Sequence, residues 1–456
     1  MKNIYFVGIG GIGMSAIARY FMHEGHKVAG YDRTPSPLTR ELEAEGAAIH
    51  YTDDINLIGE EFRNPAKTLV VYTPAIPADH SELGYFREGG FEVIKRSQVL
   101  GHLTEGKFVT AIAGTHGKTS TTTMTAWFTQ GATGKGNAFL GGISKNFGSN
   151  LVLGGGERIA VEADEFDRSF LTLSPNVAVV TSTDADHLDI YGTHDEMRRA
   201  FGQFVERIKA GGTLVAKWGL NILHNNKDIR TFTYSVDNVE ADFYATNIRP
   251  LGDGTFRFDI HCPDHTIENL HLGLGGRVNI ENAVAATAAI WAAGEIDEEG
   301  LRRAMDNFCG VKRRFECYIN TPTAVYIDDY AHHPEELRAA IVSIKGMFPG
   351  RRLTIAFQPH LYTRTRDFYK EFAEALSLAD EVLLLPIYPA RELPIEGVES
   401  EMIGRLMTTP WRVVEKARLA EEIGAIESDV VVTFGAGDID RECDKVAEVI
   451  SKKAGI

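Results

Sequence analysis

Gly114-Thr115-His116-Gly117-Lys118-Thr119-Ser120 has the residue types and order of a phosphate-binding loop. Successive backbone N–H groups in such a loop wrap a β-phosphate, and the helix that starts there adds partial positive charge. Lys118 is expected to reach the β- and γ-phosphates of ATP, and the Thr119 hydroxyl to hold Mg²⁺. The loop is shorter than the common form, because Ile112 stands where that form carries its first glycine. A second strand-like run ends in Glu162-Ala163-Asp164-Glu165. Glu162 is the expected metal ligand there, since Mg²⁺, or Mn²⁺ in its place, prefers oxygen. A third run ends in Asp184-Ala185-Asp186-His187-Leu188-Asp189, where His187 is a further candidate metal ligand or orienting group.

Four other stretches carry functional residue types. Asn279 and Asn282 are three apart, on one helix face. Asn279 suits an N-cap. Asn282 sits inside the helix, where asparagine has poor propensity, and is read as a contact to an adenine edge. In Lys312-Arg313-Arg314, an arginine is placed to clamp a γ-phosphate, against the plainer reading of a solvated basic linker. Asp328-Asp329-Tyr330-Ala331-His332-His333-Pro334 follows a buried strand, and Pro334 suits a first helical turn. Gln358 to Arg366 follows another, and its arginines could hold a small carboxylate bidentately.

At the N-terminus, Gly8, Gly10 and Gly13 have the G-x-G-x-x-G spacing that seats a diphosphate on a helix N-terminus. With Asp32 at the end of the next strand, the turn raises a nicotinamide-dependent oxidoreductase as one reading. That reading leaves residues 114–120 and the acidic strand ends unexplained.

These groups all fall at the ends of buried strands, and the elements that position them alternate. Strands are expected at 3–7, 27–31, 68–72, 91–94, 107–113, 158–163, 176–181, 324–327, 353–357, 381–385 and 430–434, with helices at 14–23 and 281–293. Residues 230–275 read as antiparallel strands. Alternation of this kind predicts an α/β fold with ligands at the strands' carboxyl ends. A chain of 456 residues exceeds one ordinary core. We expect three domains: a Rossmann-like domain at 1–105, a central P-loop ATPase-like mixed sheet at 106–310, and a Rossmann-like C-terminal domain at 311–456.

Composition excludes several classes. The net charge of −16 disfavours non-specific nucleic-acid binding. No run approaches about 20 apolar residues, so no membrane span is expected. The start goes directly into a strand, without the pattern of a secretory signal. Cys262, Cys309, Cys317 and Cys443 form no C-x-x-C pair, which suits a reduced, cytoplasmic protein. The oligomeric state, monomer or homodimer, is left open.

Taken in order, GTHGKT, EADE, DADHLD, the paired asparagines, GVKRRF and DDYAHHP resemble the Mur ligases, the ATP-dependent amino-acid-adding enzymes of peptidoglycan synthesis. The resemblance spans essentially the whole chain. GIGGIGMS, DDYAHHP and QPHLYTRTRD are most similar to the branch that adds L-alanine to UDP-N-acetylmuramate. The resemblance implies three domains and an acyl-phosphate route: ATP phosphorylates the muramate carboxylate, and the alanine amine then displaces phosphate. It assigns ATP contacts to Gly114, Thr115, His116, Gly117, Lys118, Thr119, Ser120, Asn282, Arg313 and Asp329. Thr119, Glu162 and His187 would hold metal. Gly10, Gly11, Gly13, Met14, Ser15, Asp32, Thr73 and Ala75 would hold the UDP-sugar, and Tyr330, His332 and Arg364 the alanine. Lys118, His187, Arg313 and His332 would carry the catalytic roles. Many members have a basic residue at the position of Leu361, so one carboxylate contact would be missing or supplied elsewhere, with Arg366 as one candidate. Phe201 stands near the position of a modifiable lysine in sister ligases. The nearest alternative is the recycling enzyme that adds a preformed tripeptide to the same nucleotide sugar.

Overall fold

The computed structural model describes residues 2–185, 188–294, 296–390 and 392–455, without the side chains of Leu188 and Asp189. Three sheets organise the described residues. The first contains β1 (Asn3–Val7), β2 (Val28–Tyr31), β3 (Ala48–His50), β4 (Thr68–Tyr72) and β5 (Glu92–Lys95). Its order is β3-β2-β1-β4-β5, and every pair is parallel. Parallel strands are covered on both faces, so β1 reads as an unbroken apolar run and Ile4 to Val7 are buried. Strand order reverses across β1, which opens a crevice at its carboxyl end, where the Gly8–Gly11 turn lies.

The second sheet contains β6 (Phe108–Ala113), β7 (Asn137–Phe139), β8 (Leu151–Leu153), β9 (Arg158–Glu162), β10 (Val177–Val180), β11 (Thr213–Lys217), β12 (Arg230–Ser235), β13 (Phe243–Pro250), β14 (Phe256–His261) and β15 (Thr266–Leu272). Its order is β15-β14-β13-β12-β11-β10-β6-β9-β7-β8. β6 lies between β9 and β10, both parallel to it. The ends of β9 and β10 therefore flank the loop that follows β6. The expectation of antiparallel strands from residue 230 onward is corrected at its start. β12 pairs parallel with both β11 and β13, the latter through only two residue pairs.

The third sheet contains β16 (Glu316–Asn320), β17 (Val325–Asp329), β18 (Leu353–Phe357), β19 (Glu381–Leu384), β20 (Trp411–Val413) and β21 (Val430–Phe434), in the order β16-β17-β21-β18-β19-β20. β16 pairs antiparallel with β17 and makes this sheet mixed. The carboxyl ends of β17, β21 and β18 lie side by side.

The chain gathers into two compact units. One holds Met1–Tyr244, Ile260–Ile267 and Asn282–Ala304, and the other Ala245–Asp259, Glu268–Glu281 and Met305–Ile456. Within the first unit, a buried polar cluster joins the helix Ile12–His23 to the segment before β8. Asn150 donates to the Ile12 carbonyl at 2.6 Å and to Ser15 Oγ at 2.9 Å, while Arg19 donates to Asn150 Oδ1 at 2.6 Å.

Candidate active site

β6 runs buried to Ala113, and the chain turns at once through Gly114 into the helix Lys118–Thr133. Gly114 has φ +141° and no space for a side chain: a Cβ there would lie 2.1 Å from Thr181 Oγ1. Gly117 has φ +78° and caps the helix N-terminus. The loop is braced from β10, with the His116 N–H donating to Ser182 Oγ at 2.8 Å and Thr115 Oγ1 lying 2.9 Å from the same oxygen. The helix buries many threonines. Thr122, Thr123 and Thr125 satisfy their hydroxyls on carbonyls one turn back, each at 2.8 Å.

Lys118 Nζ donates to the Gly114 carbonyl at 2.6 Å and lies 2.8–2.9 Å from both carboxylate oxygens of Glu165. Glu165 is only 1% exposed. Burial works to lower the Lys118 pKa, but the charges of Glu165, Glu162 and Asp164 outweigh it, and the ammonium is held above its ordinary value. Burial pushes the Glu165 carboxyl up, against the pull of Lys118. Sequence reasoning quoted Glu165 without giving it a role. Its spacing of three from Glu162, across a strand end that faces the loop, was the available signal.

Thr119 Oγ1 donates to Glu162 Oε1 at 3.2 Å. A Cβ at Gly141 would lie 2.1 Å from Glu162 Oε2, so this glycine leaves that carboxylate room. A hydroxyl and a carboxylate at the start of a phosphate-binding helix fit a hard divalent cation. His187, the other expected ligand, lies outside the described residues. Ser120 is half-buried in the first helical turn. Asn282 accepts from the Thr121 hydroxyl at 3.2 Å, and its Oδ1 lies 3.1 Å from where a Gly117 Cβ would be. Asn279 donates to the Gly275 carbonyl at 2.7 Å. Phe201 is core, with its ring 5.3 Å from Phe170.

At the N-terminal turn, Gly8 has φ +91° and the Gly10 N–H donates to Asp32 Oδ2 at 2.7 Å. A Cβ at Gly10 would lie 2.6 Å from Thr39 Cγ2. Asp32 thus braces the turn. Gly11 and Ala75 are exposed and Thr73 is half-buried, while Met14 and Ser15 face the core. Met14 and Ser15, expected among the UDP-sugar residues, turn their side chains into the core. Ser15 is fully buried, donates to the Ile12 carbonyl at 2.9 Å and accepts from Asn150.

In the second unit, Arg313 has φ +61°. Its guanidinium donates to the carbonyls of Gly435 at 2.6 Å and Gly437 at 3.0 Å, lies 3.4 Å from the buried Asp328, and covers the Tyr330 ring at 5.2 Å. The residue expected to reach out to phosphate is instead held at the end of the third sheet. Asp329 accepts from the Phe315 and Ala331 N–H groups at 2.7 and 2.8 Å. Arg364 is half-buried in the first turn of the helix Tyr362–Leu376, whose N-terminal Thr363 N–H donates to Glu392 at 3.0 Å. Leu361 adopts φ +72°, strained for a non-glycine residue. Arg366 is exposed and bonded to Asp367 at 2.7 Å.

His332 Nδ1 lies 3.1 Å from the Tyr330 carbonyl, its N–H donates to Glu336 at 3.0 Å, and its ring packs near Tyr330 and His360. Burial, aided by Arg364 and Arg314 and opposed by Glu336, lowers its pKa to about 4. Burial raises Asp329 to about 6, against Arg314 and its two N–H donors. The linkage has opposite signs. His332 costs the fold stability as pH falls from about 6.5 to 4, because the unfolded chain binds the proton first. Asp329 costs stability as pH rises from about 4 to 6, because the folded chain holds its proton. His332→Gln is therefore expected to make urea-unfolding stability fall from pH 4 to pH 6 relative to the parent, and Asp329→Asn to make it rise. Parallel slopes in the two variants would refute both assignments.

Comparison with known proteins finds matches along almost the whole chain. Models for the Mur ligase family catalytic domain, the Mur ligase middle domain and the Mur ligase glutamate ligase domain match residues 3–108, 112–290 and 313–437. The UDP-N-acetylmuramate–L-alanine ligase of Parabacteroides distasonis is 50% identical over 453 residues, covering 99% of this chain and 97% of that one. The corresponding ligase of Phocaeicola vulgatus is 49% identical, covering 99% of both. Among solved structures, the UDP-N-acetylmuramate–alanine ligase of Thermotoga maritima superposes with a TM-score of 0.83 at 27% identity over the full length of both chains. A murein peptide ligase from Psychrobacter arcticus shares the fold, with a TM-score of 0.71 at 23% identity and 99% of each chain covered. The chain belongs to the Mur ligase family, with its three α/β domains.

Proposed function

We infer that the chain joins L-alanine to the carboxylate of UDP-N-acetylmuramate with cleavage of ATP to ADP and phosphate, a step of peptidoglycan precursor synthesis. The observation that carries this is full-length identity of about half to ligases named for that reaction. The chemistry needs two steps. A carboxylate oxygen takes the γ-phosphoryl group and ADP leaves; the alanine amine then adds to the carbonyl carbon, and phosphate leaves the tetrahedral intermediate. Domain limits at 1–105, 106–310 and 311–456 accompany this reading.

In this reading, Gly114–Ser120 cradle the phosphates and Lys118 offsets the charge that builds on the transferring group. Thr119 and Glu162, with His187, would hold Mg²⁺ or Mn²⁺. Bound there, the cation supplies charge neutralisation at the phosphates. Asn282 completes the nucleotide contacts offered by the first unit. Gly10, Gly11, Gly13, Thr73 and Ala75 line the UDP-sugar turn that Asp32 braces. In the alanine pocket, Arg364 pairs with the carboxylate beside Tyr330. His332, neutral at pH 7, accepts from the amine without competing as a cation. The reaction is placed in the cytoplasm, in keeping with four free cysteines. Among the described residues no helix is long and apolar enough to cross a membrane.

Phosphate release in the presence of ATP and UDP-N-acetylmuramate is the test. L-Alanine is expected to support turnover, and L-Ala-D-Glu-meso-diaminopimelate to fail. Turnover with the tripeptide alone would replace this reading with the wall-recycling ligase.

A further inference from the structure

A cavity of about 90 Å³ lies inside the first unit, lined by Ile12, Gly13, Arg96, Leu100, Glu162 and Asp164 among others. One end is the helix that begins at the N-terminal glycine turn, and the other is the proposed metal carboxylate. Arg96 opens the helix Arg96–Thr104 directly after β5, and its guanidinium packs on Gly13, where a Cβ would meet Nη1 at 2.5 Å. Arg96 is 18% exposed, and among the described residues its single hydrogen bond goes to Asp164 Oδ2 at 3.0 Å. A guanidinium has five N–H donors. One is used by Asp164, so the guanidinium that lines the cavity keeps donors in reserve.

Ala16, Ile17, Phe139 and Leu140 add an apolar part to the lining. The volume holds about three waters, the size of a small branched carboxylate. A planar cation in a partly apolar lining is the complement of a carboxylate that carries a methyl group. We propose that Arg96 is a specificity-determining residue: it receives the lactyl carboxylate of the nucleotide sugar and holds it in line with the phosphate loop. This rests on the function inferred above and adds the residue that selects the acceptor.

Uridine diphosphate sugars with and without the lactyl group separate this role from diphosphate binding. In calorimetric titrations, the parent protein is expected to prefer UDP-N-acetylmuramate over UDP-N-acetylglucosamine. Arg96→Gln should weaken the first by about 10- to 100-fold and leave the second unchanged. Arg96→Lys, which keeps the charge and its ion pair with Asp164, should fall between. Asp164→Asn, which frees the guanidinium, should keep the preference. Equal weakening of both sugars in the Arg96 variants, or an undiminished preference, would overturn the proposal. A parent protein that binds neither sugar would instead overturn the assigned function.

Discussion

Lys118→Ala is expected to lower kcat by at least about 10²- to 10³-fold, the usual cost of losing one preorganised group that stabilises transition-state charge. The same change has a second consequence. Glu165 is 1% exposed and is paired with Lys118 at 2.8 Å. Removing the lysine leaves that carboxylate buried without its cation, at a cost of about 3–5 kcal/mol. Activity loss and destabilisation are therefore entangled in the single variant. The double variant Lys118→Ala/Glu165→Gln separates them: its Tm should recover toward the parent while phosphate release stays as low as in the single variant. A Lys118→Ala protein with full ligation activity would remove the phosphate chemistry from this loop. A double variant no more stable than the single would remove the pairing.

Glu162→Ala carries the next largest effect. Its carboxylate meets the Thr119 hydroxyl at 3.2 Å and has room beside Gly141. Loss of one of two oxygen ligands should lower kcat by about 10²-fold or more and shift the Mg²⁺ concentration for half-maximal phosphate release upward. Glu162→Asp should recover part of both. Direct Mn²⁺ titration followed by paramagnetic resonance gives a readout independent of turnover. An unchanged Mn²⁺ affinity in Glu162→Ala would take the carboxylate out of the metal site.

What the sequence made legible was local. The phosphate loop shows because a buried strand, two glycines with positive φ and a helix N-terminus are contiguous in the chain, so every constraint lies within about a dozen residues. β18 and β21 show for a related reason: strands covered on both faces must be apolar at every position. β16 and β20 do not show. They are short, half-exposed edge strands whose pairing is decided by neighbours far along the chain. The direction of the Ser15 side chain did not show, because it depends on Asn150, 135 residues away. On sequence alone, a serine after a glycine turn faces a ligand as readily as the core. Arg313 was read as an arm for similar reasons, since its acceptors at Gly435 and Gly437 are more than 120 residues downstream. Glu165 was visible as an acid, but its job as the partner of Lys118 needed the three-dimensional end of β9.

The Asn150–Ser15–Arg19 cluster has a consequence for selection. It fastens the helix of the glycine turn to the sheet that carries the phosphate loop, and all three residues are buried. Breaking such a weld would strand several polar groups at once, each costing about 1–3 kcal/mol. The two anion seats therefore keep a set separation, like the jaws of a fixed caliper. Under the function proposed above, a nucleotide sugar would be gauged by length as well as by charge. With its diphosphate on the turn, its acceptor carboxylate would have to reach across that gap to meet the phosphoryl group held at the loop.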